Sequence, residues 1–205
     1  MKFWLRAYIL IFLLAFEVYA STKEECSIAI NVVSESAWKG IRTKEQIGNA
    51  INACLAPAND GDLKSQYDLS ILYLLNNNEE ESEESYYWVL MAAKKGHAYA
   101  QYRLATMYEN GIVIKKNTSQ ADNWFTKSAA NDFLLSQKKL GNNYTSDDQT
   151  EAVFLKGIYW LEKAADQGDK MSIIRLINIY SNGSKHLTAD KKKVDYWNER
   201  YLKIF

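Results

Sequence analysis

Few residues in this 205-residue chain could carry out covalent chemistry, and their spacing argues against it. Histidine occurs twice: His97 directly follows Gly96, and His186 lies in the polar stretch after Gly183. Neither has a cysteine or carboxylate at metal-ligand spacing, so both read as ordinary surface histidines. Nucleophile elbows, phosphate loops and zinc signatures are absent from the sequence. The acidic run Glu79–Glu84 lacks the glycine and the alternation of a calcium loop and reads as a solvated face. These residues point away from an enzyme: no catalytic residue, no metal and no cofactor are expected.

The remaining reactive groups are Cys26 and Cys54. Their redox state depends on compartment, which the first twenty residues address. Lys2 and Arg6 give a positive start. Ala7–Phe16 is an apolar run shorter than the roughly 20 residues a membrane-spanning helix needs. Val18-Tyr19-Ala20 then places small residues at the spacing of a cleavage site. Residues 1–20 therefore read as a cleaved secretory signal, the alternative being an uncleaved anchor. Cys26 follows Lys23-Glu24-Glu25 rather than an apolar lipobox, which argues against a lipid anchor. Cleavage would leave 23 basic and 24 acidic residues. No bulk field then points to nucleic acid or an acidic membrane. Export places the chain in an oxidising compartment, read as the periplasm of a Gram-negative envelope.

Two helices are expected ahead of the main body, Lys23–Trp38 and Thr43–Leu55, separated by a short turn at Gly40. In an antiparallel pair the start of the first lies beside the end of the second, which is where Cys26 and Cys54 sit. A disulfide closing this loop is worth about 3 kcal/mol, chiefly through the unfolded state. Two free thiols are the alternative, although no basic or histidine neighbour stands close in sequence to activate either.

The rest of the chain is organised by internal repetition. The aromatic pairs Tyr87-Trp88, Trp124-Phe125, Tyr159-Trp160 and Tyr196-Trp197 lie 35 to 37 residues apart. Alanine pairs follow one turn later at Ala92-Ala93, Ala129-Ala130 and Ala164-Ala165. Small residues recur at Ser65, Ala100, Ser136 and Ser172, with Leu69, Leu104, Leu140 and Leu176 four positions on and Tyr73, Tyr108, Tyr144 and Tyr180 eight positions on. A small residue, a leucine and a tyrosine at that spacing share one helical face. The small residue admits a neighbouring helix and the larger two fill the space. Gly96 and Gly168 stand where second helices need a left-handed cap, and Gly111 and Gly183 end first helices in the same way. One such pair cannot bury its apolar face alone, so stacked neighbours complete the core.

The stretches SYYWVLMAAKKGHAYAQYRLATMYENGIVIKKNTSQADNWFTKSAAND and GIYWLEKAADQGDKMSIIRLINIYSNG resemble the Sel-1-like repeat family, a relative of the tetratricopeptide repeats. The resemblance runs from about Lys64 to Tyr201. It implies an all-α chain, a right-handed α-solenoid of helix-turn-helix repeats. The expected organisation is a signal over 1–20, a disulfide-linked helical hairpin over 21–60 and four repeats over 61–205. The family's glycine-rich turn after the tyrosine is weak here, since Gly111 is followed by Ile112-Val113 and the third unit has Thr145-Ser146-Asp147-Asp148.

In the tetratricopeptide relatives the first helix of each unit lines the concave face. Carried over, this points Asp68, Arg103, Lys139 and Arg175, a row of nearly constant period, into a groove. Tyr67, Tyr102, Lys138 and Ile174 flank the row one residue earlier, and Ile71, Thr106, Asn142 and Asn178 stand three residues later. Of these, Tyr67, Asp68, Tyr102, Arg103, Thr106, Lys138, Lys139, Asn142, Arg175 and Asn178 form the expected partner-binding set. Cations, amides and tyrosines together suit an acidic or C-terminal peptide segment. The alternative is a solvated helix face. The resemblance further implies a protein-interaction module, monomeric when free, with a protein partner, no nucleic acid and no stable membrane insertion. Its most concrete form is an immunity-type protein neutralising a secreted antibacterial toxin. An adaptor or regulator in envelope signalling or surface assembly is the alternative.

Overall fold

The computed structural model describes residues 22–76 and 79–204, the side chains of 79–81 excepted. The signal expected over 1–20 lies outside them. Among the described residues ten helices follow in order: α1 (22–38), α2 (Lys44–Asn59), α3 (Leu63–Asn76), α4 (Glu79–Lys94), α5 (Ala98–Asn110), α6 (Thr118–Ala130), α7 (Leu134–Tyr144), α8 (Glu151–Asp166), α9 (Lys170–Asn182) and α10 (Lys191–Ile204). The protein is an all-α solenoid of helical hairpins. It divides into two compact units, with the boundary inside α5 between Ala100 and Gln101.

In the N-terminal unit, α2 packs on α3 and α3 on α4. Thr43 caps α2 by accepting from the Gln46 N–H, while the Gln46 side chain accepts from the Thr43 N–H. Two orphan donors at the helix start are satisfied at once. The sequence reading ends this helix at Leu55, two residues before Pro57. The helix in fact continues through Pro57 to Asn59 and is closed by Gly61, whose φ is 96°. Cys26 and Cys54 are joined and buried, with Cα atoms 4.6 Å apart. Around them lie Val33, Ile47, Ile51, Leu69, Leu72 and Trp88, a single apolar core shared by α1 to α4.

In the C-terminal unit α6 packs on α7, α7 on α8, α8 on α9 and α9 on α10. Phe154, Ile158, Leu161, Ile173, Leu176, Tyr180 and Trp197 form its main core. The α7–α8 crossing is tight. A Cβ on Gly157 would lie 2.9 Å from the Thr145 nitrogen, and one on Gly141 would lie 2.7 Å from Leu161 Cδ2. Glycine is required at 157 because the backbone it meets has no room to give way, whereas at 141 the nearest obstacle is the Leu161 side chain.

The repeat registers are buried as their spacing demands. Ser65, Ala100, Ser136 and Ser172 are buried, and Leu69, Leu104, Leu140 and Leu176 are fully so. Each junction between successive hairpins consists of one left-handed residue followed by the cap of the next helix. The left-handed residues are Gly61, Gly96, Asp132 and Gly168. At each, the next N–H reaches five residues back: Asp62 to the Pro57 carbonyl, His97 to Ala92, Phe133 to Ser128 and Asp169 to Ala164. This double-bonded ending satisfies the last carbonyls of each helix while turning the chain into the next one.

Candidate partner-binding face

The side chain that follows each left-handed residue begins the next helix, and its chemistry differs from junction to junction. Asp62 accepts from the Ser65 N–H and hydroxyl, and Asp169 does the same for Ser172. Burial pushes both carboxyls up, but hydrogen bonds from Lys23 and Ser65 hold Asp62 below the usual carboxylate value, and those from Lys138 and Ser172 do so for Asp169. His97 Nδ1 accepts from the Ala100 N–H at 3.2 Å. The imidazole is therefore half-buried against a helix start, not an ordinary surface group as its place in a turn had indicated. Burial lowers its pKa, while Asp68 and Asp62 work in the opposite direction. His186 is likewise half-buried, with its ring 5.3 Å from Phe154. Phe133 supplies no cap hydrogen bond at all.

The expected binding residues divide into those engaged within the fold and those left open. The residue that flanks the row on α3, α5 and α7 reaches the cap of the next repeat's first helix. Tyr67 lies 5.1 Å from the His97 ring, Tyr102 lies 5.2 Å from Phe133, and Lys138 pairs with Asp169 at 2.7 Å. The row itself reaches backwards. Lys139 pairs with Glu109 at 2.9 Å, while Arg175 donates from Nε to Thr145 Oγ1 and from Nη2 to the Thr145 carbonyl. Glu109 and Thr145 each directly follow a repeat tyrosine, so these braces recur with the same period. Asp68 is buried and paired with Lys64 at 2.7 Å, and the Thr106 hydroxyl bonds the Arg103 carbonyl. Arg103 is half-buried. Asn142 and Asn178 remain exposed.

A further register passed unread in the sequence. Gln66, Gln101 and Gln137 each follow a repeat small residue. Gln66 and Gln137 donate to the Ala58 and Ala129 carbonyls at the end of the preceding helix. Asn131 donates to Gln101 and Gln167 to Gln137, thirty residues along in both cases. The signal that could have found them was the period itself, since each is a buried polar side chain that must have a partner.

The open amides border a hollow of about 430 Å³ in the C-terminal unit. Its wall along α9 is Met171, Ile174, Arg175, Asn178, Ile179 and Asn182; Asn142 comes from α7, Thr145 from the residue that ends it, and Asp147 and Phe154 from farther along the chain. Among the described residues no group of three or more histidines, cysteines or carboxylates could hold a metal ion. No helix among them is long and apolar enough to cross a membrane.

Comparison with known proteins decides the family. The Sel1 repeat profile matches residues 63–97, 98–133 and 135–169, together more than half the chain. The chain belongs to the Sel1 repeat family. A sel1-like repeat-containing protein of Acanthamoeba polyphaga mimivirus is 34% identical over 119 residues, 56% of this chain and 23% of that protein. A Sel1 repeat protein from Oxalobacter formigenes superposes with a TM-score of 0.63 at 25% identity, covering 79% of this chain and 46% of that one. A protective antigen of uropathogenic Escherichia coli with an SLR fold gives 0.61 at 21% identity, covering 85% of this chain and 38% of that one. The chain thus spans less than a quarter of the viral relative and less than half of either solved chain. The Sel1 repeat fold suggests a protein-interaction module.

Proposed function

We propose that this Sel1-repeat chain is an exported, periplasmic binding protein that engages a protein partner through the first-helix face of its C-terminal unit. Its most concrete role is immunity, the neutralisation of a secreted antibacterial toxin. The observation that carries the reading is the contrast on that face: Lys139 and Arg175 are bound back into the fold, whereas Asn142 and Asn178 stand open beside a 430 Å³ hollow. That volume is within the range of ordinary recognition pockets. The disulfide is in keeping with an oxidising compartment. Lys170–Ile204, beyond the last profile match, supplies eight of the twelve residues lining the hollow and serves in the proposal as a fourth repeat after the disulfide-linked hairpin.

The test is co-expression with each protein encoded beside it that kills when produced in the periplasm alone. Killing should be suppressed by the wild-type chain and restored when Asn178→Arg places a bulky cation at the hollow. Undiminished killing with the wild-type chain would remove the immunity role. Suppression by wild type and variant alike would move the interface elsewhere. Asn178 is the clean position to change because it is exposed, whereas Arg175→Glu would also strip the brace on Thr145.

A further inference from the structure

The turn between α1 and α2 exposes what folding normally hides. Trp38 is 93% exposed and Ile41 62% exposed, whereas Trp88, Trp124 and Trp197 are buried. The backbone of this turn is fixed on both sides. At the end of α1 the Gly40 N–H donates to the Ala37 carbonyl and the Ile41 N–H to the Ser36 carbonyl, with Gly40 at φ 68°. An apolar contact from the residue after the glycine often accompanies this ending, yet Ile41 keeps most of its side chain in solvent. Two residues on, the capping box of Thr43 and Gln46 starts α2. Trp38 and Ile41 are thus held at a set place in the chain without covering the core of the hairpin.

Cations are interleaved with these two apolar side chains. Lys39, Arg42 and Lys44 stand in the turn and at the start of α2, against the neighbouring carboxylates Glu35 and Glu45. Lys39 meets Glu35 at 3.8 Å with both side chains exposed, a pair of little worth in water. Arg42 and Lys44 make no ion pair among the described residues.

We infer that this turn is a peripheral membrane anchor: Trp38 and Ile41 enter the headgroup region of an anionic bilayer while Lys39, Arg42 and Lys44 meet its phosphates. Tryptophan favours that boundary because its ring is apolar and its indole N–H is polar. The stems of lysine and arginine lie along apolar surface while their heads stay among charged groups. The chain as a whole is balanced in charge, so the attraction to acidic lipid is local to the turn. A protein partner fits less well, since a specific interface buries about 800 Å² on each side, more than a turn with two apolar side chains offers. A second copy of the chain would set the same cations against one another. The attachment is superficial and needs no spanning helix. It is also independent of the partner-binding reading, because the turn belongs to the N-terminal unit and the hollow to the C-terminal one.

The experiment sediments the exported chain, from Ser21 onward, with vesicles of phosphatidylglycerol and phosphatidylcholine in equal parts, and with vesicles of phosphatidylcholine alone. The expected result is binding to the anionic vesicles that weakens at least about tenfold in Trp38→Ser with Ile41→Ser. Lys39→Gln with Arg42→Gln and Lys44→Gln should abolish the preference for anionic over neutral vesicles. All five positions are exposed, so both variants should keep the wild-type circular dichroism spectrum. Absence of wild-type binding to the anionic vesicles would overturn the inference. Equal wild-type binding to both kinds of vesicle, or unaltered binding by the Trp38 and Ile41 variant, would do so as well. A chain that ignores vesicles but captures a protein through Trp38 would assign the turn to a protein contact instead.

Discussion

The junction before α7 and the junction before α9 have the same backbone geometry and opposite chemistry. At Gly168-Asp169 the left-handed residue is glycine, and the next side chain caps the helix and pairs with Lys138. At Asp132-Phe133 an aspartate takes φ 57°, and the next side chain caps nothing but packs on Tyr102. Polar satisfaction holds the first junction and ring contact holds the second. The comparison teaches that the repeat specifies a turn, not a residue. A repeat can exchange its cap for a tertiary contact when the neighbouring first helix offers a matching partner: lysine for aspartate, tyrosine for phenylalanine.

The largest test of that contrast is Asp169→Ala. It removes both bonds to Ser172 and leaves Lys138 without its carboxylate, and the expected loss is about 2 kcal/mol in chemical denaturation. An unchanged midpoint would mean that the cap contributes nothing beyond the backbone turn. The same site predicts a pH dependence. The Asp169 carboxyl is held below its ordinary value of 3.8, so its contribution is complete above that pH and is lost as pH falls through the lowered value.

The His97 junction sharpens the comparison at milder pH. Its folded pKa lies below the ordinary 6.5, so the unfolded chain binds the proton more readily. Stability is complete above 6.5 and declines as pH falls below it, because a protonated Nδ1 cannot accept from Ala100. His97→Asn keeps a capping acceptor without titrating. The melting temperature of the wild type should fall on moving from neutral to mildly acidic buffer, while that of the variant should not. Parallel curves would show that the imidazole does not govern this turn.

The smallest expected effect is a gain. Asp132→Gly relieves a left-handed strain of about 1 kcal/mol but adds freedom to the unfolded chain, leaving a net stabilisation of roughly 0.5 kcal/mol. A measured loss would show that the carboxylate, which lies 3.5 Å from Gln137 Nε2, matters more than the backbone angle.

These junctions also show what could be read in the sequence. The buried register of Ser65, Leu69 and their equivalents was legible because a helical face repeats with the chain. The Cys26–Cys54 bridge was legible because two antiparallel helices leave one geometry for it. The row Asp68, Arg103, Lys139 and Arg175 was legible as a period, but its bonding was not. Lys139 meets Glu109 thirty residues upstream, and nothing local to Lys139 announces that partner. The hollow was hidden for a related reason. Its shape depends on Gly141 and Gly157 letting α7 and α8 close together, and on where Asp147 and Ser184 come to rest. Asn142 and Asn178 stood among the candidates, yet what sets them apart from the row emerges only once the neighbouring cations prove to be engaged.

The disulfide has a consequence for how the chain would survive damage. Trp38, at the end of α1, is 93% exposed, and the stretch from Lys39 to Arg42 that follows is exposed throughout. A protease cutting there would sever the main chain between the two helices that Cys26 and Cys54 join. The fragments would stay together as one molecule and separate only under a reductant. Unreduced and reduced samples of nicked protein should therefore migrate differently on a denaturing gel. A cut between Trp38 and Arg42 would leave the first helix attached.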